Sequence, residues 1–349
     1  MKKSLIALAV MATAGAACAQ SSVQLYGIAD LWFGSQKSQD RIEGVWVGER
    51  QTGLYDGGVS NSRFGLKGAE DLGGGLKALF TLEQGFSLDT GAAATVPGDS
   101  AAAFSREATI GLQGNFGTVK LGKQYNAFDD VSGAQSSVFD SDLAPINTVF
   151  LSTAAATNPA NSIKYLSPSF NGFTGSVSYA FSEDKTATQS AGKQYALSGQ
   201  YVNGPLALGL GYAHFGLNAG DLTFTDSDGL DGNVIRLNGG YNFGPVVLKA
   251  SFGRVKDKSD DSKANEYEIG IDVPLASNMT LSAGYAHSKD KNAAGDTAGK
   301  RHGFGAAVAY SLSRRTLTYA GFNTSKEKDA AGDTVGKLSL LAVGVRHSF

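Results

Sequence analysis

The sequence predicts an all-β fold, a 16-stranded antiparallel transmembrane β-barrel. Three observations predict it: apolar residues alternate with small or polar ones, short connections alternate with long ones, and 46 of 349 residues are glycine. That glycine content is nearly twice the usual share of about 7%. Charged residues make up only 18% of the chain, and beyond the N-terminus no apolar run approaches the roughly 20 residues of a membrane-spanning helix.

The first 19 residues have the pattern of a secretory signal peptide. Lys2 and Lys3 precede a short apolar stretch that ends in Ala17-Cys18-Ala19, an A-x-A cleavage sequence. We expect cleavage after Ala19, which leaves residues 20–349 as one barrel domain without cysteine. An exported chain of this length without a disulfide needs another source of stability, and an extended hydrogen-bonded sheet would supply it. The acidic residues outnumber the basic ones, so no basic excess favours nucleic-acid binding.

The alternation has the period of a β-strand. Between residues 173 and 181, for example, Phe173, Val177 and Tyr179 share one face, while small and polar residues share the other. In hydrocarbon every backbone polar group needs an internal partner, so a membrane-spanning sheet must close on itself. Sixteen such segments are predicted: Val23–Gly34, Ser60–Gly68, Leu76–Leu88, Phe104–Gln113, Thr118–Tyr125, Ser162–Leu166, Phe173–Ser182, Lys193–Tyr201, Leu206–His214, Asn233–Tyr241, Val246–Asp257, Asn265–Val273, Met279–Lys289, Lys300–Tyr310, Arg315–Glu327 and Lys337–Phe349.

The connections favour a membrane barrel over a soluble sandwich. Short turns, such as 114–117 and 242–245, alternate along the chain with longer polar segments such as 35–58 and 126–160. Outer-membrane barrels have tight periplasmic turns and long external loops. A sandwich has no reason to sort its connections in this way.

Charged residues alternate with apolar ones in several predicted strands, which indicates a wet lumen. A barrel of 16 strands is too wide for side chains to fill. A lysine that faces the bilayer midplane costs about 2–4 kcal/mol, so these charges are expected to point inward. For any one of them, the alternative is a charge that only keeps the lumen hydrated. The inward basic residues are predicted to be Arg63, Lys67, Lys120, Lys164, Arg236, Lys249 and Arg346, and the inward acids Asp30, Glu83, Glu266, Glu268 and Asp272.

Residues 126–160 form an unusually long connection, well beyond the usual 12–15 residues of a structureless loop. The segment contains four acids and no basic residue: Asp129, Asp130, Asp140 and Asp142. Folded into a basic lumen, it would narrow the pore and set a transverse field, because charge rings at a constriction select ions. Composition alone is equally compatible with a mobile external loop.

Several segments together resemble the trimeric general porins of the beta-proteobacterial and neisserial type. They are SSVQLYGIADLWFG, SRFGLKGAEDLGGGLKALFTLEQGF, FSREATIGLQGNFGTVKLGKQYNAFDD, NSIKYLSPSFNGF and the terminal GVRHSF. The resemblance implies a homotrimer whose third loop folds inward as a constriction opposite a basic wall. Five residues match the basic positions of those motifs: Arg63, Lys67, Arg106, Lys120 and Lys123. It also implies that Phe349 is read by the barrel-assembly machinery, and that outer-membrane lipid and lipopolysaccharide surround the barrel.

The predicted function is passive diffusion of small hydrophilic solutes and ions across the outer membrane. The basic wall favours anions and the acidic loop favours cations; we expect weak anion selectivity. A solute-specific channel and a plugged structural or adhesive barrel are the alternatives. Catalysis, a metal or another cofactor is not expected, because the four histidines show no triad or paired metal-ligand pattern and the mature chain lacks cysteine.

Overall fold

The computed structural model describes residues 22–94, 103–181, 192–216 and 231–349, so the predicted signal peptide lies outside the described residues. Within these ranges 18 antiparallel strand segments form one sheet. They are β1 Ser22–Ile42, β2 Val45–Val47, β3 Arg50–Asp56, β4 Arg63–Gly73, β5 Leu76–Gly85, β6 Glu107–Gly114, β7 Gly117–Lys123, β8 Ser162–Leu166, β9 Phe173–Phe181, β10 Lys193–Asn203, β11 Leu206–Phe215, β12 Gly232–Asn242, β13 Val247–Asp257, β14 Lys263–Ala276, β15 Met279–Lys291, β16 Thr297–Ser311, β17 Thr316–Asp329 and β18 Thr334–Ser348.

The sheet closes into a barrel because its first and last strands pair. β1 pairs with β18 from Ile28 opposite Ser348 to Asp40 opposite Gly336. On its other edge, β1 pairs with β4 through its lower half and with β2 and β3 through its upper half. In the described ranges, β1 and β4–β18 therefore surround the lumen, which confirms the predicted 16-stranded barrel.

The β2–β3 hairpin lies in the predicted loop 35–58. β1 has 21 residues, about twice the roughly 9–11 that a tilted strand needs to cross a bilayer. Its upper half would expose an unpaired edge without the hairpin. The sequence prediction missed these two strands because the polar residues of this stretch do not alternate with apolar ones.

Other strand boundaries differ from the predicted ones by a few residues, and β8 agrees at both ends. The largest difference is at the extracellular end of β1, which was predicted at Gly34 and lies at Ile42. On the same side, β16 begins at Thr297 and β18 at Thr334, before their predicted starts at Lys300 and Lys337. Hydrogen-bond pairing continues there beyond the apolar part of each strand, so the connections 292–296 and 330–333 are short. The periplasmic side has tight turns, as predicted.

The two faces of the sheet differ in composition. The outer face carries exposed apolar side chains, including Ile269, Leu341 and Val343, each 60–62% exposed in the isolated chain. So much contiguous apolar surface is stable only when hydrocarbon covers it. No helix in the described part of the chain is both long and apolar enough to cross a membrane.

Candidate functional site

The connection between β7 and β8 folds into the barrel. It contains four short helical turns, at Asp129–Ser132, Val138–Asp140, Ile146–Val149 and Leu151–Ala155. These turns pack against the inner face of β10–β13 and of β15 and β16. The predicted inward-folded third loop is thereby confirmed, and the alternative of an external loop is wrong.

The loop fits closely because the wall behind it is built from small residues. Phe128 is fully buried in a cluster with Ala213 and Val234, and a second cluster joins the later part of the loop to β15–β18. Gly211 permits one of these close approaches, because a Cβ atom there would lie 2.5 Å from a methyl carbon of Val131. Close packing of this kind fixes the path of the loop across the lumen.

Buried charged residues of the wall also bind the loop backbone. Arg236 is fully buried and donates hydrogen bonds to the Ser132 carbonyl, at 2.8 Å, and to the Ser152 hydroxyl, at 2.6 Å. Glu268 accepts hydrogen bonds from the Ser137 amide, at 3.1 Å, and hydroxyl, at 2.6 Å. Glu266 accepts from Ser152 in the same way. Three of the predicted lumen charges therefore hold the loop against the wall.

The opposite wall, formed by β4–β7, faces the open lumen. Its centre is Glu83, whose carboxylate lies 2.7 Å from the guanidinium of Arg106 and 3.7 Å from that of Arg63. The Tyr26 hydroxyl also donates a hydrogen bond to Glu83, at 2.9 Å. Two arginines thus share one carboxylate, which holds both in a defined position.

Three lysines extend this wall. The Lys120 ammonium lies 2.7 Å from the carboxylate of Glu107. Lys67 lies over the Tyr26 ring, 4.9 Å from its centroid, and Lys123 donates to the Asn158 carbonyl at 2.8 Å. With Arg63 and Arg106, they give five cations and two carboxylates on the wall, so a net positive surface faces the loop.

The comparisons with known proteins agree with this geometry. The family model described as Gram-negative porin matches residues 5–330. The chain belongs to the Gram-negative porin family. The porin is 36% identical over 336 residues to outer membrane porin protein 32 of Delftia acidovorans, which covers 91% of this chain and 88% of that protein. An alignment 396 residues long covers 100% of this chain and 100% of an outer-membrane porin of Bordetella pertussis, and the two are 30% identical over it.

A solved structure resembles the porin over nearly its whole length. It is the anion-selective porin from Comamonas acidovorans, with a TM-score of 0.75 and 29% identity over 95% of this chain and 100% of that one. The protein is therefore an outer-membrane diffusion porin, a channel for small hydrophilic solutes. The family consists of channels, in agreement with the wet, charge-lined lumen.

The four acids of the third loop occupy different surroundings. Asp130 is ion-paired with Lys164 at 2.6 Å, and this ammonium also donates to the carbonyls of Tyr125 and Asn126, at 3.2 Å each. The Lys164 side chain is only 9% exposed. Lys164 therefore joins the start of the loop to β8, and the open part of the pore touches little of it.

Enclosure changes the protonation of the other loop acids, which lie outside the membrane-spanning strands. Burial raises the pKa of Asp129 to about 6, although Lys164 acts in the opposite direction. Burial, reinforced by the carboxylates of Asp30 and Asp56, raises the pKa of Asp142 to about 6. Burial also raises the pKa of Asp140. These carboxylates lose their charge at a higher pH than ordinary aspartates do.

Cavities lie on both sides of the loop. One of about 530 Å³ separates the loop from β1 and β18 and is lined by Trp32, Gln36, Asp142, Asn147 and Leu340, among others. Another of about 180 Å³ includes Glu107, Lys120 and Lys164 in its lining. In the described ranges, no group of three or more histidine, cysteine or acidic side chains could hold a metal ion.

Sequence reasoning identified the inward charges but not their partners. The alternation of apolar and polar residues predicts that Glu83 and Arg236 point into the lumen. Their bonding partners depend on which part of the wall the third loop covers, and the alternation does not predict that. One signal in the sequence could have separated the charged residues under the loop from those that face the open lumen. Many inward positions on β10–β16 are Gly, Ala or Ser. Such positions leave room for a second layer of backbone.

Proposed function

We propose that the porin conducts small anions in weak preference to cations, with selectivity set by the basic wall of β4–β7. The observation that carries the proposal is the Arg63–Glu83–Arg106 arrangement, in which two guanidinium groups share one carboxylate. Its excess positive charge faces the space that the loop leaves open. A fixed charge at a narrow aqueous passage raises the local concentration of the opposite ion.

The loop acids oppose this field less than their number suggests. Asp130 is neutralised by Lys164. Asp140 experiences the positive charges of Arg236 and Lys249. The anion-selective porin from Comamonas acidovorans, which shares the fold and 29% of its residues, supports the same sign of preference.

A reversal-potential measurement in a KCl gradient across a planar bilayer tests the proposal. We expect a potential displaced toward that of chloride, and a displacement reduced or reversed in the variant R63Q/R106Q. The control is Lys300→Gln, which removes one positive charge from the outer face of β16 and is expected to leave the potential unchanged. Cation preference of the unaltered protein would contradict the proposal.

The proposal includes a homotrimer, supported by the distribution of tyrosine. All 13 tyrosines of the chain lie in described ranges. Nine point outward, all between β8 and β16: Tyr165, Tyr179, Tyr195, Tyr201, Tyr212, Tyr241, Tyr267, Tyr285 and Tyr310. Tyrosine marks lipid interfaces of membrane barrels. The outer surface of β18, β1 and β4–β7, here called the tyrosine-free arc, is the side we assign to contact between subunits.

Lipopolysaccharide and the barrel-assembly machinery complete the proposed partners. Leu341, Val343, Val345 and Phe349 are 43–60% exposed on the outer face of β18 and its end, where an assembly factor can reach them. We assign no catalytic role to the chain. Its four histidines, His214, His287, His302 and His347, lie on strand positions that face outward, away from solutes in the lumen.

A further inference from the structure

The outer face of the barrel carries lysines at the extracellular ends of β14–β17. We call this set the outer lysine belt: Lys263, Lys289, Lys291, Lys300, Lys326 and Lys328. Lys289 shares strand parity with the exposed Tyr285, and Lys300 with the exposed Phe304. Alternate residues of a strand point to the same face, so these lysines point toward lipid rather than into the lumen.

The belt lies about one bilayer thickness from the periplasmic side. On β16 the outward row runs from Tyr310 at the periplasmic end to Lys300, and on β15 it runs from Met279 to Lys289. Counting the residues of both faces, the strand segments 300–310 and 279–289 each match the roughly 9–11 residues that a tilted strand uses to cross the hydrocarbon. The ammonium groups therefore lie at the level of the outer-leaflet headgroups, where a charge avoids the cost of the bilayer midplane.

The belt lysines face one another across the strands. Lys300 pairs directly with both Lys289 and Lys328, and Lys263 pairs with Lys291. Like charges in directly opposite positions destabilise a sheet. In the described ranges, no belt lysine lies within 4.0 Å of a carboxylate oxygen. The sheet thus presents a row of positive charge that an external anion would stabilise.

We propose that the outer lysine belt binds the phosphorylated headgroup of lipopolysaccharide in the outer leaflet. Lysine binds phosphate as a point charge, and each basic residue at an anionic membrane surface adds to the affinity. Tyr267 and Tyr285 lie directly below the belt on β14 and β15 and supply the amphipathic rings typical of the interface. This inference rests on the lipopolysaccharide contact proposed above and assigns the residues that make it.

Titration of the purified, lipopolysaccharide-free porin with lipopolysaccharide tests the assignment, with the rise in thermal unfolding midpoint as the measure of binding. The variant K289Q/K300Q/K328Q is expected to bind on the order of a hundredfold more weakly, since three basic contacts are lost. The charge-conserving variant K289R/K300R/K328R should bind as the parent does. The variant R314Q/R315Q, altered in the exposed turn at the periplasmic end, should also retain binding.

Two further measurements make the result decisive. Chemically dephosphorylated lipopolysaccharide should bind the parent about as weakly as intact lipopolysaccharide binds K289Q/K300Q/K328Q. Unchanged single-channel conductance shows that this variant still forms the pore. Equal binding by the parent and K289Q/K300Q/K328Q would overturn the assignment and leave the lipopolysaccharide contact standing. Absence of binding by the parent would overturn the contact itself.

Discussion

At the scale of single residues, Glu83 controls how much positive charge the open wall presents. Its carboxylate is shared by Arg63 and Arg106 and accepts a hydrogen bond from Tyr26. Glu83→Gln removes the negative charge and retains much of the shape. We expect anion preference to rise, by up to about fivefold in the chloride-to-potassium ratio, because one unit charge at 4 Å is worth about 1 kcal/mol in water. Reversal potentials in a KCl gradient measure the change.

The control for this prediction is Glu70→Gln. Glu70 is exposed near the periplasmic end of β4 and shares strand parity with the outward Phe64 and Leu66. The same loss of charge outside the lumen should leave the reversal potential unaltered. An unchanged or lower anion preference in Glu83→Gln would show that Glu83 does not oppose the basic wall.

At the scale of elements, the third loop depends on a buried cation. Arg236 binds two parts of the loop, at Ser132 and Ser152, and lies over the ring of Phe150. Arg236→Met would remove both hydrogen bonds to the loop and leave their buried acceptors unpaired. Each buried polar group left without a partner costs roughly 1–3 kcal/mol. We expect a lower thermal unfolding midpoint and more frequent current fluctuations in single-channel records, as the loop detaches transiently.

The control variant is Arg254→Met, which also replaces an arginine by methionine but removes no contact with the loop. Arg254 lies on β13 with its side chain exposed on the outer face, and it contributes nothing to the loop contacts described above. Its replacement should leave both readouts near those of the parent. Quiet, fully open channels in Arg236→Met would contradict the role of Arg236 in holding the loop.

The same loop predicts a pH dependence. Asp129 and Asp142, with pKa values of about 6, are largely charged at pH 7.5 and largely neutral at pH 5. Acidification therefore removes negative charge beside the pore, and anion preference should rise with a midpoint near pH 6. The variant D129N/D142N should show the higher preference at both pH values. A wild-type preference that falls on acidification would contradict this assignment.

The sequence predicted the strands that cross the membrane, but it did not predict the β2–β3 hairpin or the contacts of the third loop. Alternation located the strands that cross hydrocarbon, because the bilayer imposes apolar residues on every second position. It missed β2 and β3, because β2 is a run of only three apolar residues and β3 has no regular alternation of apolar and polar residues. It placed Arg236 in the lumen but not under the loop, since that contact joins residues more than a hundred positions apart in the chain. The loop path is determined by the packing of its residues Phe128 and Val131 against strands that are distant in the sequence, and a local pattern does not predict that packing.

At the scale of the whole molecule, the tyrosine-free arc predicts which side of the barrel is hidden from lipid. Val343 on this arc and Ile269 on the tyrosine-bearing side are exposed to nearly the same extent in the isolated chain, 60% and 62%. In a homotrimer, Val343→Trp should be shielded from brominated phospholipid, whereas Ile269→Trp should be strongly quenched. The only native tryptophans are Trp32, buried on the lumen side, and Trp46 in the β2 hairpin, so the background is small. Equal quenching at both positions would place the arc against lipid and remove the argument for contact between subunits there.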